Sequence, residues 1–179
     1  EKVLEALHKI NFASGNISEA HFFSSQLIKV NPNYPSVWEN HLSSLNYITS
    51  KSQSDQLKYA LEFDRLPKIE DNSLLKINTN FKKNKIKLAL LSPDFKTHSV
   101  SFFLKDVLSK INKKDFEIFA FSNLETNNYD EMTDDLKKLF DEWYDIKKMA
   151  DIKFVNLARS LNIDILIDLA GFTVGNRIQ

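Results

Sequence analysis

The sequence has no cysteine. Disulfides, a thiolate nucleophile and thiolate-ligated zinc are therefore excluded together. Glycine is scarce: 3 residues in 179, where an average composition near 7% gives roughly a dozen. The few that remain are expected where the backbone demands them. Charge of one sign is absent too, since 24 Lys plus Arg balance 24 Asp plus Glu. That balance gives no electrostatic case for a nucleic-acid partner. No apolar run approaches the roughly 18 residues of a membrane helix, so no membrane partner is expected. The opening Glu1–Lys2–Val3 shows neither an initiator methionine nor the apolar core of a signal peptide. The chain reads as a piece of a longer, soluble, cytoplasmic protein.

What is present is ordinary globular material, 42% hydrophobic and 27% charged, which rules out wholesale disorder. Residues 1–64 read as helices. Val3, Leu4, Leu7 and Ile10 recur at helical spacing up to Gly15–Asn16. A second helix, with Ser18 as its expected cap, carries Ala20, Phe22, Phe23, Leu27 and Ile28 to Asn31–Pro32. Pro35–Ser36 opens a third through Trp38, Leu42 and Leu45, and Leu57, Ala60 and Leu61 form the apolar face of a fourth. Leu4 and Trp38 lie 34 residues apart, the period of a tetratricopeptide helix pair. His8 and Ser24 depart from that pattern, standing where it favours glycine and an aromatic. Residues 65–84, polar and carrying Pro67 and a lysine cluster, are the expected linker.

From residue 85 to 179 the periodicity changes. Short apolar runs at Ile86–Leu91, Phe116–Phe121, Glu142–Ile146 and Ile163–Leu169 alternate with helical stretches through Phe102–Ile111, Asp130–Phe140 and Asp151–Leu161. This alternation predicts an α/β fold, a Rossmann-like parallel sheet built of βαβ units. The last run is mostly apolar and is expected to be buried on both faces. Ligands of such sheets bind beyond the carboxyl ends of the strands, which directs attention to loops 92–99 and 170–176.

Loop 92–99 (Ser92–Pro93–Asp94–Phe95–Lys96–Thr97–His98–Ser99) has no glycine, so neither a dinucleotide fingerprint nor a P-loop is present. It holds the only histidine of the α/β half. Just before a helix N-terminus, His98 is favoured as a neutral ring, available as a base or as a hydrogen-bonding contact. Asp94, four residues earlier, can orient that ring or cap the turn. Loop 170–176 is bracketed by Gly171 and Gly175, and its amides and the Thr173 hydroxyl suit a sugar or phosphate oxygen. A turn-forming role for Gly171 stands equally beside that reading. Asp168, at the strand end, is expected to cap the loop. His8, His21 and His41 lack metal-ligand spacing and read as packing or surface residues, so no metal site is expected.

Four stretches, taken together, resemble the O-linked N-acetylglucosamine transferases of the SPINDLY-like type, whose helical repeats precede a catalytic region. Gly15–Asn16 with Ala20 and Asn31–Pro32 is similar to the last repeat. Trp38–Leu42 with Leu45–Asn46–Tyr47 is similar to the connecting helix. Lys87–Val100 is similar to the opening strand and its SPDF-x-x-H loop, and Asp164–Thr173 with Gly175–Asn176–Arg177 to the DLxGxT…R loop. Phe172 stands where relatives often have His or Tyr. The resemblance implies the first half of a two-domain GT-B fold that moves a sugar from the nucleotide sugar UDP-GlcNAc to protein Ser or Thr hydroxyls. His98 would be the candidate catalytic base or contact, oriented by Asp94, and Thr97, Gly171, Phe172, Thr173 and Gly175 would line the substrate cleft. The repeats would recruit acceptor proteins. No cofactor is implied; the donor would be bound mainly by a further domain, so that the 179 residues alone are inactive. A relative using GDP-fucose, and a non-catalytic scaffolding module, are the alternatives.

Overall fold

A computed structural model describes residues 1–66, 85–173 and 175–177. The chain divides into two compact units, Glu1–Ile69 and Glu70–Ile178. The linker expected over 65–84 lies, from residue 67 onward, outside the described residues.

The first unit is four helices in sequence: α1 (Lys2–Ala13), α2 (Ile17–Val30), α3 (Pro35–Leu45) and α4 (Gln53–Asp64). Each packs on the next. The chain leaves α1 through paired hydrogen bonds from Gly15 N–H to Phe12 O and Asn16 N–H to Asn11 O, the double closure of a Schellman ending. Asn16, not Ser18, holds the N-cap position of α2, because the turn is already complete at Gly15. Pro35 opens α3, where its missing N–H costs nothing. Ser52 caps α4 in a reciprocal box with Asp55. Ala20, Leu27, Val37, Trp38, Leu42 and Leu45 form the apolar part of the core. On the apolar face of α4 Ala60 is half-buried while Leu57 and Leu61 are exposed, and α4 packs chiefly along α3.

The second unit is a parallel four-stranded sheet, β1 (Ile86–Ser92), β2 (Phe116–Ser122), β3 (Glu142–Asp145) and β4 (Ile165–Asp168), in the order β3-β2-β1-β4. Helices α5 (Ser99–Lys110), α6 (Glu131–Lys137) and α7 (Asp151–Ser160) make the crossovers. In the β1–β2 register small residues stand beside large ones, Ala89 by Phe119 and Leu90 by Ala120. Leu90, Ile118 and Ala120 face a cluster with Phe95, Leu104, Leu108, Leu136 and Phe140. Ala89, Leu91, Phe119 and Phe121 face the opposite cluster with Ile146 and Phe154. This alternation is the pleat itself, with both faces covered as parallel sheets require.

One expectation fails here. The fourth strand is not buried on both faces: Ile165, Leu166 and Ile167 are 45%, 46% and 42% exposed. Composition marked it as an inner strand, yet among the described residues it pairs with β1 alone and stands last in the strand order. Burial of a strand depends on its neighbours as much as on its residues.

Candidate functional site

The carboxyl ends of β1 and β2 finish in register on Ser92 and Ser122, both fully buried. From Ser92 the loop 92–99 turns under close restraint. The Ser92 hydroxyl accepts from Asp94 N–H (2.9 Å), and Asp94 O accepts from Lys96 N–H (2.8 Å) and the Ser101 hydroxyl (2.6 Å). Phe95 is driven inward, fully buried against Phe140 and Trp143. Its carbonyl accepts from the Thr133 hydroxyl at 2.6 Å. Asp130, the N-cap of α6, takes Thr97 N–H on Oδ2 at 2.7 Å and Thr133 N–H on Oδ1 at 3.1 Å. Hydrogen bonds from the Thr97 backbone, then from its side chain, hold the Asp130 carboxyl down at about 2. Thr97 is thus tied to α6, its side chain as well as its amide.

His98 occupies the N-cap of α5, and its Nδ1 accepts from Val100 N–H at 3.3 Å. A neutral ring with Nδ1 accepting carries its proton on Nε2. The side chain is 42% exposed, so that outer nitrogen can be reached as a hydrogen-bond donor. Asp94 Oδ2 lies 4.0 Å from Nδ1, near enough for electrostatic influence and beyond hydrogen-bond reach.

Loop 170–176 is pinned at both ends by Asp168, whose carboxylate accepts from Ala170 N–H (2.7 Å) and Arg177 N–H (3.0 Å). The capping role expected of Asp168 is what the structure shows. The Arg177 guanidinium donates to Ile146 O and Met149 O and pairs with Asp151. Inside the loop the Thr173 hydroxyl donates to Ala170 O at 2.8 Å, leaving its oxygen as an acceptor only. The two glycines serve different ends. Gly171 adopts φ +57 with open space around it, a turn residue. Gly175, at φ +93, lies so close to Pro93 that an added Cβ would stand 2.7 Å from the proline Cβ. The two loops singled out from the sequence therefore touch, at Pro93 and Gly175. Phe172 is half-buried.

Asn123 was not singled out in the sequence, and it sits at this junction. Its N–H donates to Ser92 O at 2.9 Å, and its Nδ2 donates to Gly175 O at 2.7 Å. It is 5% exposed, and its Oδ1 is buried with no partner. The only available signal was position: a polar residue directly after a buried strand, opposite the start of the first loop.

In the helical unit the histidines are packing residues, as expected, each with a polar partner. His8 Nδ1 donates to Ala20 O (2.9 Å), His21 Nδ1 lies 3.2 Å from the Ser44 hydroxyl, and His41 Nδ1 lies 3.1 Å from the Ser24 hydroxyl. Both hydroxyls already donate to helix carbonyls, Ser44 to His41 O and Ser24 to His21 O. The histidines must therefore donate to them, with bare Nε2 atoms. His21 stacks on His41 at 4.3 Å, and His41 Nε2 is buried without a partner. Burial first, and then electrostatic repulsion from its neighbours, His21 foremost and then Lys51, push the His41 imidazole down to about 3. His8 and Ser24, the two departures from the repeat pattern, both make buried hydrogen bonds, to Ala20 O and His41. Among the described residues no group of three or more His, Asp or Glu is placed to hold a metal, and no helix is long and apolar enough to cross a membrane.

No family model matches the chain. It is 27% identical over 159 residues to the tomato (Solanum lycopersicum) protein named "Probable UDP-N-acetylglucosamine–peptide N-acetylglucosaminyltransferase SPINDLY", and 25% identical over 154 residues to the Arabidopsis thaliana protein of the same name. Each alignment covers 84% of this chain, which spans only 16% and 17% of those curated relatives. A solved structure of a mutant O-GlcNAc transferase from Thermobaculum terrenum superposes with a TM-score of 0.82 at 22% identity, over 96% of this chain and 33% of that one. The fold, α/β with a helical N-terminal part, is thus shared with a portion of that structure, and the resemblance read from the sequence motifs holds.

Proposed function

We propose that the chain is the acceptor-side portion of a glycosyltransferase that moves a sugar from a nucleotide sugar, UDP-GlcNAc, to Ser or Thr hydroxyls of proteins. In that reaction a bond forms between the acceptor oxygen and the sugar C1 as the bond from C1 to the diphosphate breaks. The nucleoside diphosphate leaves with the electron pair, and the hydroxyl proton passes to a base. The observation that carries the reading is the meeting of loops 92–99 and 170–176 at the carboxyl edge of the sheet, with an accessible His98 on one of them. Similarity to proteins named for this transfer supplies the chemistry.

The Val100 hydrogen bond supports a donor role for His98 over a base role. With Nδ1 accepting, Nε2–H is directed to a substrate oxygen, where a preorganised donor stabilises developing charge. Asp94 lends its field to the ring, and Thr97, Gly171, Phe172, Thr173 and Gly175 line the acceptor side. The helical unit recruits protein acceptors, and no cofactor takes part. Leaving-group stabilisation comes from donor-binding residues outside these 179, so the chain by itself transfers nothing.

The test is transfer from UDP-GlcNAc, with GDP-fucose in parallel, by the whole natural polypeptide and its His98→Ala variant. The variant is expected to lose roughly tenfold or more in kcat/KM. Absence of turnover with either donor from a folded protein overturns the reading in favour of a binding module.

A further inference from the structure

Besides the packing of Pro93 on Gly175, one side chain ties the two loops together among the described residues. Loop 92–99 is held from the sheet side by Ser92, Ser101, Thr133 and Asp130. Loop 170–176 is held at its ends by Asp168 and Arg177. Neither set of bonds reaches from one loop to the other. Asn123 does, its backbone amide fixed on Ser92 O and its side-chain amide on Gly175 O.

We propose that Asn123 is a positioning residue for sugar transfer: it clasps the glycine loop onto Ser92–Pro93, so that the His98 loop and the Gly171–Gly175 loop present one rigid acceptor surface. The proposal rests on the glycosyltransferase reading for its function and on geometry alone for the clasp. Three features support it. The residue is 5% exposed, so water does not compete for its hydrogen bonds. The backbone of its partner Gly175 is pressed onto Pro93, where a side chain would separate the surfaces. Its Oδ1 is left buried without a partner, a cost that is retained because a carboxamide reaches Gly175 O as a donor where an aliphatic side chain cannot.

The clasp is tested in the 179-residue chain by amide hydrogen exchange of residues 168–177 in Asn123→Ala, Asn123→Asp and Gly175→Ala. Each is expected to speed exchange of that loop by about tenfold or more, with the helical unit unchanged. Asn123→Asp adds a signature that general loosening does not produce. A carboxylate repels Gly175 O, whereas a protonated carboxyl donates to it. Protection of the loop should therefore return as pH falls, measured against the original sequence at each pH. If Asn123→Ala fails to fold, Gly175→Ala breaks the same contact from the other side and decides the matter. Unchanged loop exchange in both overturns the clasp.

The positioning role is tested in the whole natural polypeptide. Asn123→Ala should lower kcat by roughly tenfold while the donor KM stays within about threefold. An unaltered kcat, or a loss confined to donor KM, overturns it. If the unsubstituted polypeptide transfers no sugar, the functional reading fails, and the exchange experiment still decides whether the clasp exists.

Discussion

In the helical unit the buried polar side chains, His8, Ser24, His41 and Ser44, lie in the middle of the packing, with His41 edge-on to Trp38 and Tyr59. In the α/β unit the middle of the sheet is apolar, and the buried polar residues collect at its carboxyl edge. Four of those five, Ser92, Ser101, Asn123 and Thr133, bond directly to the two site loops. The fifth, Ser122, accepts from Tyr129 at the end of β2. A buried polar group must find a partner wherever it lies. In one unit this need shapes a helix interface that responds to protons; in the other it shapes the loops that carry the chemistry.

The difference is broken first by attacking the apolar centre of the sheet. Phe121 is fully buried against Tyr144 and Phe154, and Phe121→Ala should cost about 3–5 kcal/mol. Each unit has its own tryptophan, Trp38 and Trp143, so the transitions can be followed separately in Trp38→Phe and Trp143→Phe backgrounds. The Trp143 transition should fall steeply and the Trp38 transition stay in place. An equal shift in both would mean that the units unfold as one.

Acid separates them in the other direction. Unfolded His41 takes up its proton near 6.5, whereas the folded residue does so only near about 3. Between those values the unfolded state binds more protons, so the helical unit loses stability as pH falls, by up to about 1.4 kcal/mol per pH unit for the one proton. Burial lowers His21 as well and adds to the same slope. Above 6.5 the contribution is complete and flat. In the α/β unit Asp130 and Asp135 are lowered to about 2 from 3.8, so stability from these carboxylates is kept down to about 3.8 and lost only below it. Melting followed through Trp38 should soften from pH 6.5 downward while the Trp143 signal holds, and His41→Leu should flatten the former.

A smaller effect sharpens the link between edge polarity and loop order. Asp130→Ala removes the acceptor for Thr97 N–H and the cap of α6. Amide exchange of residues 95–101 should rise roughly fivefold, with loop 170–177 unaffected. Smallest of all is Phe103→Ser on α5. Phe103 is 76% exposed, and the change should move stability by less than about 0.5 kcal/mol in urea unfolding. A large loss there would show that this aromatic is covered in solution.

Much of this organisation was legible in the residues. The change from helical spacing to alternating apolar runs marked the two architectures, and the scarcity of glycine pointed to Gly171 and Gly175. What local pattern could not give was neighbourhood. Ile165–Ile167 has the composition of an inner strand, and only the strand order makes it an edge. Ser24 and His8 read as flaws in a repeat until their hydrogen bonds to His41 and Ala20 O were seen. Asn123 is 52 residues from the Gly175 carbonyl it binds, a separation that no periodicity spans. His98 and Asp94 were found through their loop, whereas the nitrogen of the ring that faces outward follows from Val100 N–H alone.

The exposed edge at β4 has a practical side. Among the described residues, Ile165, Leu166 and Ile167 are exposed and paired on one side only, which makes them a template for another chain. In concentrated solution these 179 residues should self-associate through that edge before either unit unfolds. The sign would be sheet-rich oligomers that grow with protein concentration and disperse when Leu166 is replaced by lysine. Expression and crystallisation trials would meet this property well before any assay does.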